Sequence, residues 1–181
     1  MKKKWLMVLA VVALTAALTA CGPVELSSSL DTTDGNFTFS VPEGWSEYDG
    51  LAEDDLVLHM TDGGVAFAKV YYISYDLYDY SYEKSIKDVT AYYSGSIIGE
   101  ADELTISEMD ASKFEYDMVD LSEEETEVDY HGFEYVINAP KGVLNVDIYY
   151  AQDKTIGKII EPSESELELL QRIVESVEAI G

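Results

Sequence analysis

The chain has a single cysteine, Cys21, among 181 residues. One thiol cannot form an intramolecular disulfide, so the folded part must be stabilised by its core alone. Histidine is almost as scarce, with only His59 and His131. Neither belongs to a His-Glu-x-x-His arrangement, which excludes that class of zinc protease. No Gly-x-Ser-x-Gly elbow is present, so the usual signature of an α/β-hydrolase nucleophile is missing. Basic residues are few, 11 against 36 acidic ones. Such a surface repels phosphate backbones and sets nucleic-acid binding aside. There is no long hydrophobic run either. The longest, Trp5 to Ala20, falls short of the roughly 20 apolar residues a spanning helix needs. No internal repeat or low-complexity tract appears.

What is there begins with an address. Met1-Lys2-Lys3-Lys4 is a short basic start, and the uncharged run Trp5–Ala20 is rich in Leu, Val and Ala. Together they have the form of a secretory signal. The run closes on Leu18-Thr19-Ala20-Cys21, which resembles the lipobox of bacterial lipoproteins. That resemblance implies removal of residues 1–20. It also implies a diacylglyceryl thioether on Cys21 as the new first residue. An ordinary cleaved signal that happens to contain the cysteine is the plainer alternative. Two acyl chains hold a protein stably where one holds it marginally, at about 0.8 kcal/mol per buried methylene. The expected location is the extracytoplasmic face of a cell membrane, with anchoring through lipid.

Lys2, Lys3 and Lys4 would leave with the signal and no acidic residue would, so 8 basic residues would face 36 acidic ones, a balance of −28. Anionic headgroups would repel that surface, leaving the acyl chains to anchor it unaided. Cationic partners would be drawn to it. About 160 mature residues are one domain's length.

Gly22 to Asp34 is small and polar and reads as a flexible tether, 21–34 with the lipidated cysteine, ahead of one domain, 35–181. A coil of about 13 residues reaches roughly 20 Å. Phe37, Phe39 and Val41 alternate with polar residues as a half-buried strand. Leu56, Leu58 and Met60 alternate with Val57 and His59. Thr61-Asp62-Gly63-Gly64 turns the chain into Val65–Tyr75, apolar on both faces and hence central. Ser81 caps a helix whose stripe is Tyr82, Ile86, Val89 and Tyr93, with Gly95 as its stop. Leu104 and Ile106 start a second strand group, and Asp110-Ala111 turns the chain. Phe114, Tyr116 and Met118 follow, then Phe133, Tyr135 and Ile137. The turn Ala139-Pro140-Lys141-Gly142 leads into Leu144, Val146, Ile148 and Tyr150, with Asn145 and Asp147 outward. Ser163 and Glu166 form a capping box for a final helix striped by Leu167, Leu170, Val174 and Val177, widened by Ile173 and Ile180. The expected class is α+β: a mostly antiparallel sheet of about six to seven strands covered by two main helices.

Phe37-Thr38-Phe39-Ser40-Val41-Pro42-Glu43-Gly44-Trp45 resembles the opening of PsbP-like domains, where a first strand runs into Pro-x-Gly/Asp-Trp. Ile173-Val174-Glu175-Ser176-Val177 is similar to the Ile-x-x-Ser-Ile/Val close of the same superfamily. The resemblance implies an antiparallel sheet with helices packed on it. It implies no reaction, since the better-known members act as assembly or binding factors. Trp45 itself reads as a core plug folding back after Gly44.

Candidate chemistry is sparse. His59 or His131 with a carboxylate and a serine would make an envelope hydrolase, the alternative to a binding domain. Glu53-Asp54-Asp55 and Glu123-Glu124-Glu125 lack the spacing that wraps calcium and read as solvated loops. Asp31 to Asn36 reads as a turn. No metal and no cofactor is called for. Of the 14 tyrosines, six cluster as Tyr71, Tyr72, Tyr75, Tyr78, Tyr80 and Tyr82. Tyr75, Tyr78 and Tyr80, interleaved with Asp76 and Asp79, are the candidate binding lip for a protein, cationic peptide or sugar. Loop tyrosines capping the end of the core are the plainer alternative. The leading expectation is a lipid-anchored, non-catalytic binding domain.

Overall fold

The computed structural model describes residues 23–32, 34–45, 55–59, 66–74, 81–120, 128–153, 158–159 and 163–181. The chain order is β1 (Ser28–Asp31), β2 (Phe37–Val41), β3 (Asp55–His59), β4 (Ala66–Ser74), α1 (Tyr82–Tyr92), β5 (Ile97–Ile106), β6 (Met109–Asp120), β7 (Val128–Ala139), β8 (Gly142–Asp153), β9 (Lys158–Ile159), α2 (Glu164–Glu175) and β10 (Glu178–Ala179). The strands form two antiparallel sheets, so the fold is α+β. A seven-stranded sheet has the order β3-β4-β8-β7-β6-β5, with β9 on β8, and a three-stranded sheet has the order β1-β2-β10. Among the described residues, no helix is long and apolar enough to cross a membrane.

Strand alternation divides the large sheet into two faces. Tyr135, Ile137, Leu144, Val146 and Ile148 share one core with Phe37, Phe39 and Val41 of β2 and with Leu170, Ile173 and Val174 of α2. Val136 and Val143, one residue out of phase, share a second core with Val89 and Tyr93 of α1 and Phe114 and Tyr116 of β6. The layers therefore run α1, large sheet, then α2 beside the small sheet. The two helices cover opposite faces of the sheet. A strand buried on both sides must be apolar in both phases, and Val136 between Tyr135 and Ile137 meets that demand.

The helix N-termini are as expected. Ser81 Oγ accepts from Lys84 N–H. Ser163 Oγ accepts from Glu166 N–H while the Glu166 carboxylate accepts from Ser163 N–H, the full capping box. The Ser163 hydroxyl, followed by its backbone N–H, holds that carboxyl below its ordinary pKa. The two stretches that carry the family resemblance meet in space. Ser176 Oγ accepts from Ser40 N–H at 2.9 Å and donates to Ile173 C=O at 2.6 Å. Trp45 lies half-buried against the first core, after the turn that Gly44 makes at φ 86°. The turn expected over Asp31–Asn36 holds only in part: Asp31 ends β1, and after it Asp34 accepts from Thr32 Oγ1 and from Asn36.

Four expectations need correction. Ser28–Asp31 is not tether but strand: it pairs with Val41 to Thr38 of β2, and Leu26 and Leu30 pack on the core. Backbone pairing and two leucines suffice to fix a segment whose other side chains are polar. The chain does not turn at Asp110-Ala111. Ser107 and Glu108 make the turn at φ 47° and 67°, which lets Ile106 pair with Met109 and buries Ala111 completely. Both residues have the positive φ that a two-residue hairpin of matching twist demands, without the usual Asn or Gly to announce it. The last helix stops at Glu175, and Glu178–Ala179 returns as a strand on β2. Finally, Asn145 and Asp147 face α1 rather than open solvent. Asn145 Oδ1 accepts from Ser85 Oγ of that helix at 2.9 Å.

Candidate functional site

Several candidates from the sequence lie outside the described residues: Cys21, Tyr75, Tyr78, Tyr80, Glu53, Asp54 and Glu123 to Glu125. His59 belongs to β3, an edge strand, opposite Phe67. His131 is described in full, and the structure builds a cluster around it.

Register places Asp117 of β6 directly opposite His131 of β7, with Glu115 two residues away on the same face. His131 Nδ1 lies 2.6 Å from Asp117 Oδ1, and Nε2 lies 3.5 Å from Glu115 Oε1. The imidazole stands edge-on to Phe133, with centroids 5.6 Å apart, and tilted over Tyr150 at 5.2 Å. Next along the same face, Lys113 Nζ sits 4.5 Å from the Phe133 ring centroid. The carboxylates are open: Glu115 is 43% and Asp117 65% exposed, against 20% for His131. The result is an acidic rim on an aromatic floor.

This geometry limits the chemistry. A triad histidine needs one nitrogen on a carboxylate and the other on the nucleophile's hydroxyl. Here Nδ1 is bonded to Asp117 and Nε2 faces Glu115, and among the described residues no hydrogen bond joins His131 to a serine. Among the described residues, no group of three His, Cys, Asp or Glu side chains is arranged to hold a metal. Two exposed carboxylates suit instead a cationic side chain.

The opposite face carries a buried polar layer under α1. Tyr116 Oη donates to Asp147 Oδ1 at 2.8 Å, and Tyr93 stacks on Tyr116 with centroids 4.0 Å apart. Glu134 stands opposite Asp147, and Lys69 stands opposite Asp147 on the other side. A separate trio lies on the same face, where Tyr82 and Ser112 share a hydroxyl bond of 2.7 Å and Ser112 Oγ donates to the exposed Glu103 at 3.0 Å. Burial, followed by the Asp147 charge, pushes the Tyr116 and Tyr93 phenols far above their ordinary pKa. The phenols therefore act as donors and packing groups rather than as acids. No motif spacing signals this layer, because its members come from six separate elements.

Tyr135 differs from these. It is fully buried, and its Oη is the one described buried side-chain polar atom without a hydrogen-bond partner. Burial, then the Glu175 charge, raises its pKa. Tyr135→Phe should remove an unsatisfied hydroxyl and raise stability by about 1 kcal/mol. A urea midpoint shifted upward at unchanged slope would show it; a drop in the midpoint would mean the hydroxyl has a partner.

No protein-family model matches the sequence, and no curated protein matches it. Solved structures do resemble it. A crystal structure from Bacteroides thetaiotaomicron superposes with TM-score 0.54 at 12% identity over 87% of this chain, which spans 50% of that one. The solution structure of cyanobacterial PsbP (CyanoP) from Synechocystis gives TM-score 0.51 at 17% identity, over 91% of this chain and 99% of that one. The fold is PsbP-like. The Ran-binding protein Mog1p of Saccharomyces cerevisiae reaches TM-score 0.46 at 13% identity, over 83% of this chain and 94% of its own. In the PsbP-like frame, α1 covers one face of the large sheet, and the His131 cluster lies on the other.

Proposed function

We propose that the chain is a lipid-anchored, extracytoplasmic domain that binds a cationic protein or peptide and performs no catalysis. The observation that carries the binding reading is the His131 cluster. It presents two exposed carboxylates around a histidine whose Nδ1 is bonded to Asp117 and whose Nε2 faces Glu115 at 3.5 Å. The acidic balance of the whole chain supports it by drawing cationic partners to the surface. The lipobox resemblance at Leu18-Thr19-Ala20-Cys21 supports the anchor, and the PsbP-like fold is compatible with a binding role. Tyr75, Tyr78 and Tyr80 are proposed as a second contact.

The test is titration of the protein with an arginine-rich peptide at low salt. Removing both rim charges, Glu115→Gln with Asp117→Asn, should weaken binding at least fivefold. Removing two exposed acids elsewhere, Glu43→Gln with Glu178→Gln, should change it less than twofold, which separates a site from general attraction. Equal losses in the two variants would remove the His131 cluster as a site. Tyr78→Ala with Tyr80→Ala tests the tyrosine lip in the same titration, and unchanged affinity would remove it.

A further inference from the structure

The anchor and the folded body are closer than the polar sequence between them suggests. Arg172 Nη1 of α2 donates to Val24 C=O at 3.0 Å. Leu26 and Leu30 pack on the first core, and Ser28–Asp31 is paired into the small sheet. The chain is thus fastened to the body from Val24 onward. Three Cα–Cα steps of about 3.8 Å separate Val24 from Cys21, so their Cα atoms lie within about 11 Å whatever the conformation between them. A free coil over the whole of Gly22–Asp34 would instead reach roughly 20 Å and let the domain tumble.

We infer that the Arg172–Val24 clamp, with Leu26 and Leu30 beneath it, turns the α2–β1 side of the domain toward the membrane and the α1 side away. This rests on the proposed lipidation of Cys21. The occupant of the surface around Val24 and Arg172 is the lipid interface itself. The length of chain left between clamp and anchor leaves no room for a partner protein there. Val24 is 51% exposed, an apolar side chain beside a cation where an interface would meet it. The two helices lie on opposite faces of the large sheet, and a helix with its side chains is about 10 Å across. Their outer surfaces should therefore differ in distance from the bilayer by about 20 Å or more.

The native cysteine carries the lipid, so a thiol-reactive dye reports only an introduced one. Full-length lipidated protein would be placed on phosphatidylcholine vesicles containing quencher-labelled headgroups. The dye would be carried by Glu168→Cys, one turn before Arg172 on α2, or by Ala91→Cys on the outer side of α1. Quenching at least threefold stronger at position 168 is expected. Equal quenching of vesicle-bound protein would overturn the orientation while leaving the anchor standing. Failure of the unsubstituted protein to float with vesicles would overturn both. Inserting about ten Gly and Ser residues between Gly22 and Pro23 should bring the two signals together without touching the fold. A ratio unchanged by that insertion would also overturn the inference, because attraction by the surface, not the short link, would then set the orientation.

Discussion

Above pH 10 the folded domain should lose stability at about 4 kcal/mol per pH unit, once the phenols of the unfolded chain are ionised. Three tyrosines set that slope. Tyr93, Tyr116 and Tyr135 are 6%, 1% and 0% exposed, and burial raises all three pKa values well above the ordinary 10. The native state keeps these protons where the unfolded chain gives them up. Stability from such groups is complete below pH 10 and falls as pH rises, by about 1.4 kcal/mol per unit for each. Denaturant midpoints across pH 9 to 11.5 would measure the slope. Phenolate absorbance near 295 nm would show at least three phenols appearing only with unfolding. Tyr135→Phe should flatten the slope by about a third, without disturbing the Tyr93–Tyr116 stack. A slope that ignores this substitution would mean that general repulsion in an acidic protein, not the buried phenols, governs alkaline unfolding.

Gly132→Ala should destabilise the domain by about 3 kcal/mol, the upper end of the usual overpacking cost. The backbone at Gly132 is ordinary, so the reason is space alone. A Cβ there would lie 2.6 Å from Tyr116 Oη and 2.7 Å from both Tyr116 Cζ and the Ile148 carbonyl oxygen. The tyrosine ring could swing aside, but only by giving up its bond to Asp147 and its stack on Tyr93. The Ile148 carbonyl belongs to the β7–β8 ladder and cannot move without breaking it. Pairing Gly132→Ala with Tyr116→Leu should therefore recover only part of the loss. Full recovery would show that the backbone contact is harmless, and thermal or urea unfolding of the two variants decides it.

Much of this frame could be read from the residues because local chemistry and final position agree. Ser81 and the Ser163–Glu166 box announce their helices. Phe37-Thr38-Phe39-Ser40-Val41 announces a strand with one apolar face, and the Pro42–Trp45 turn follows it. The failures have physical causes of the same local kind. Ser107 and Glu108 adopt left-handed backbone angles because the flanking strands dictate the turn, not because their side chains favour it. Ser28–Asp31 and Glu178–Ala179 are strands through backbone pairing with β2, and neither has the β-branched or aromatic residues that mark a strand. The two-faced burial of β7 and β8 was hidden by Asn145 and Asp147, polar residues that look outward until Ser85 of α1 and Tyr116 of β6 supply their partners.

The candidate site was legible only in part. His131 could be singled out by its rarity. Its partners Asp117 and Glu115 lie more than a dozen residues away, and only the β6–β7 register brings them beside it. Lys113 over Phe133 follows from the same register, two residues along. Pairing across a long hairpin depends on where its loop begins, and the intervening acidic run gives no turn signal from which to count.

Everything proposed for location and orientation depends on a thioether at one sulfur. The direct measurement is to replace it, Cys21→Ser, and follow the product in the cell that makes it. Loss of lipid-dependent processing, with the protein either left as precursor or released from membranes, is the expected result. A variant still cut before residue 21 and still sedimenting with membranes would contradict the anchor, and with it the orientation drawn from Val24 and Arg172.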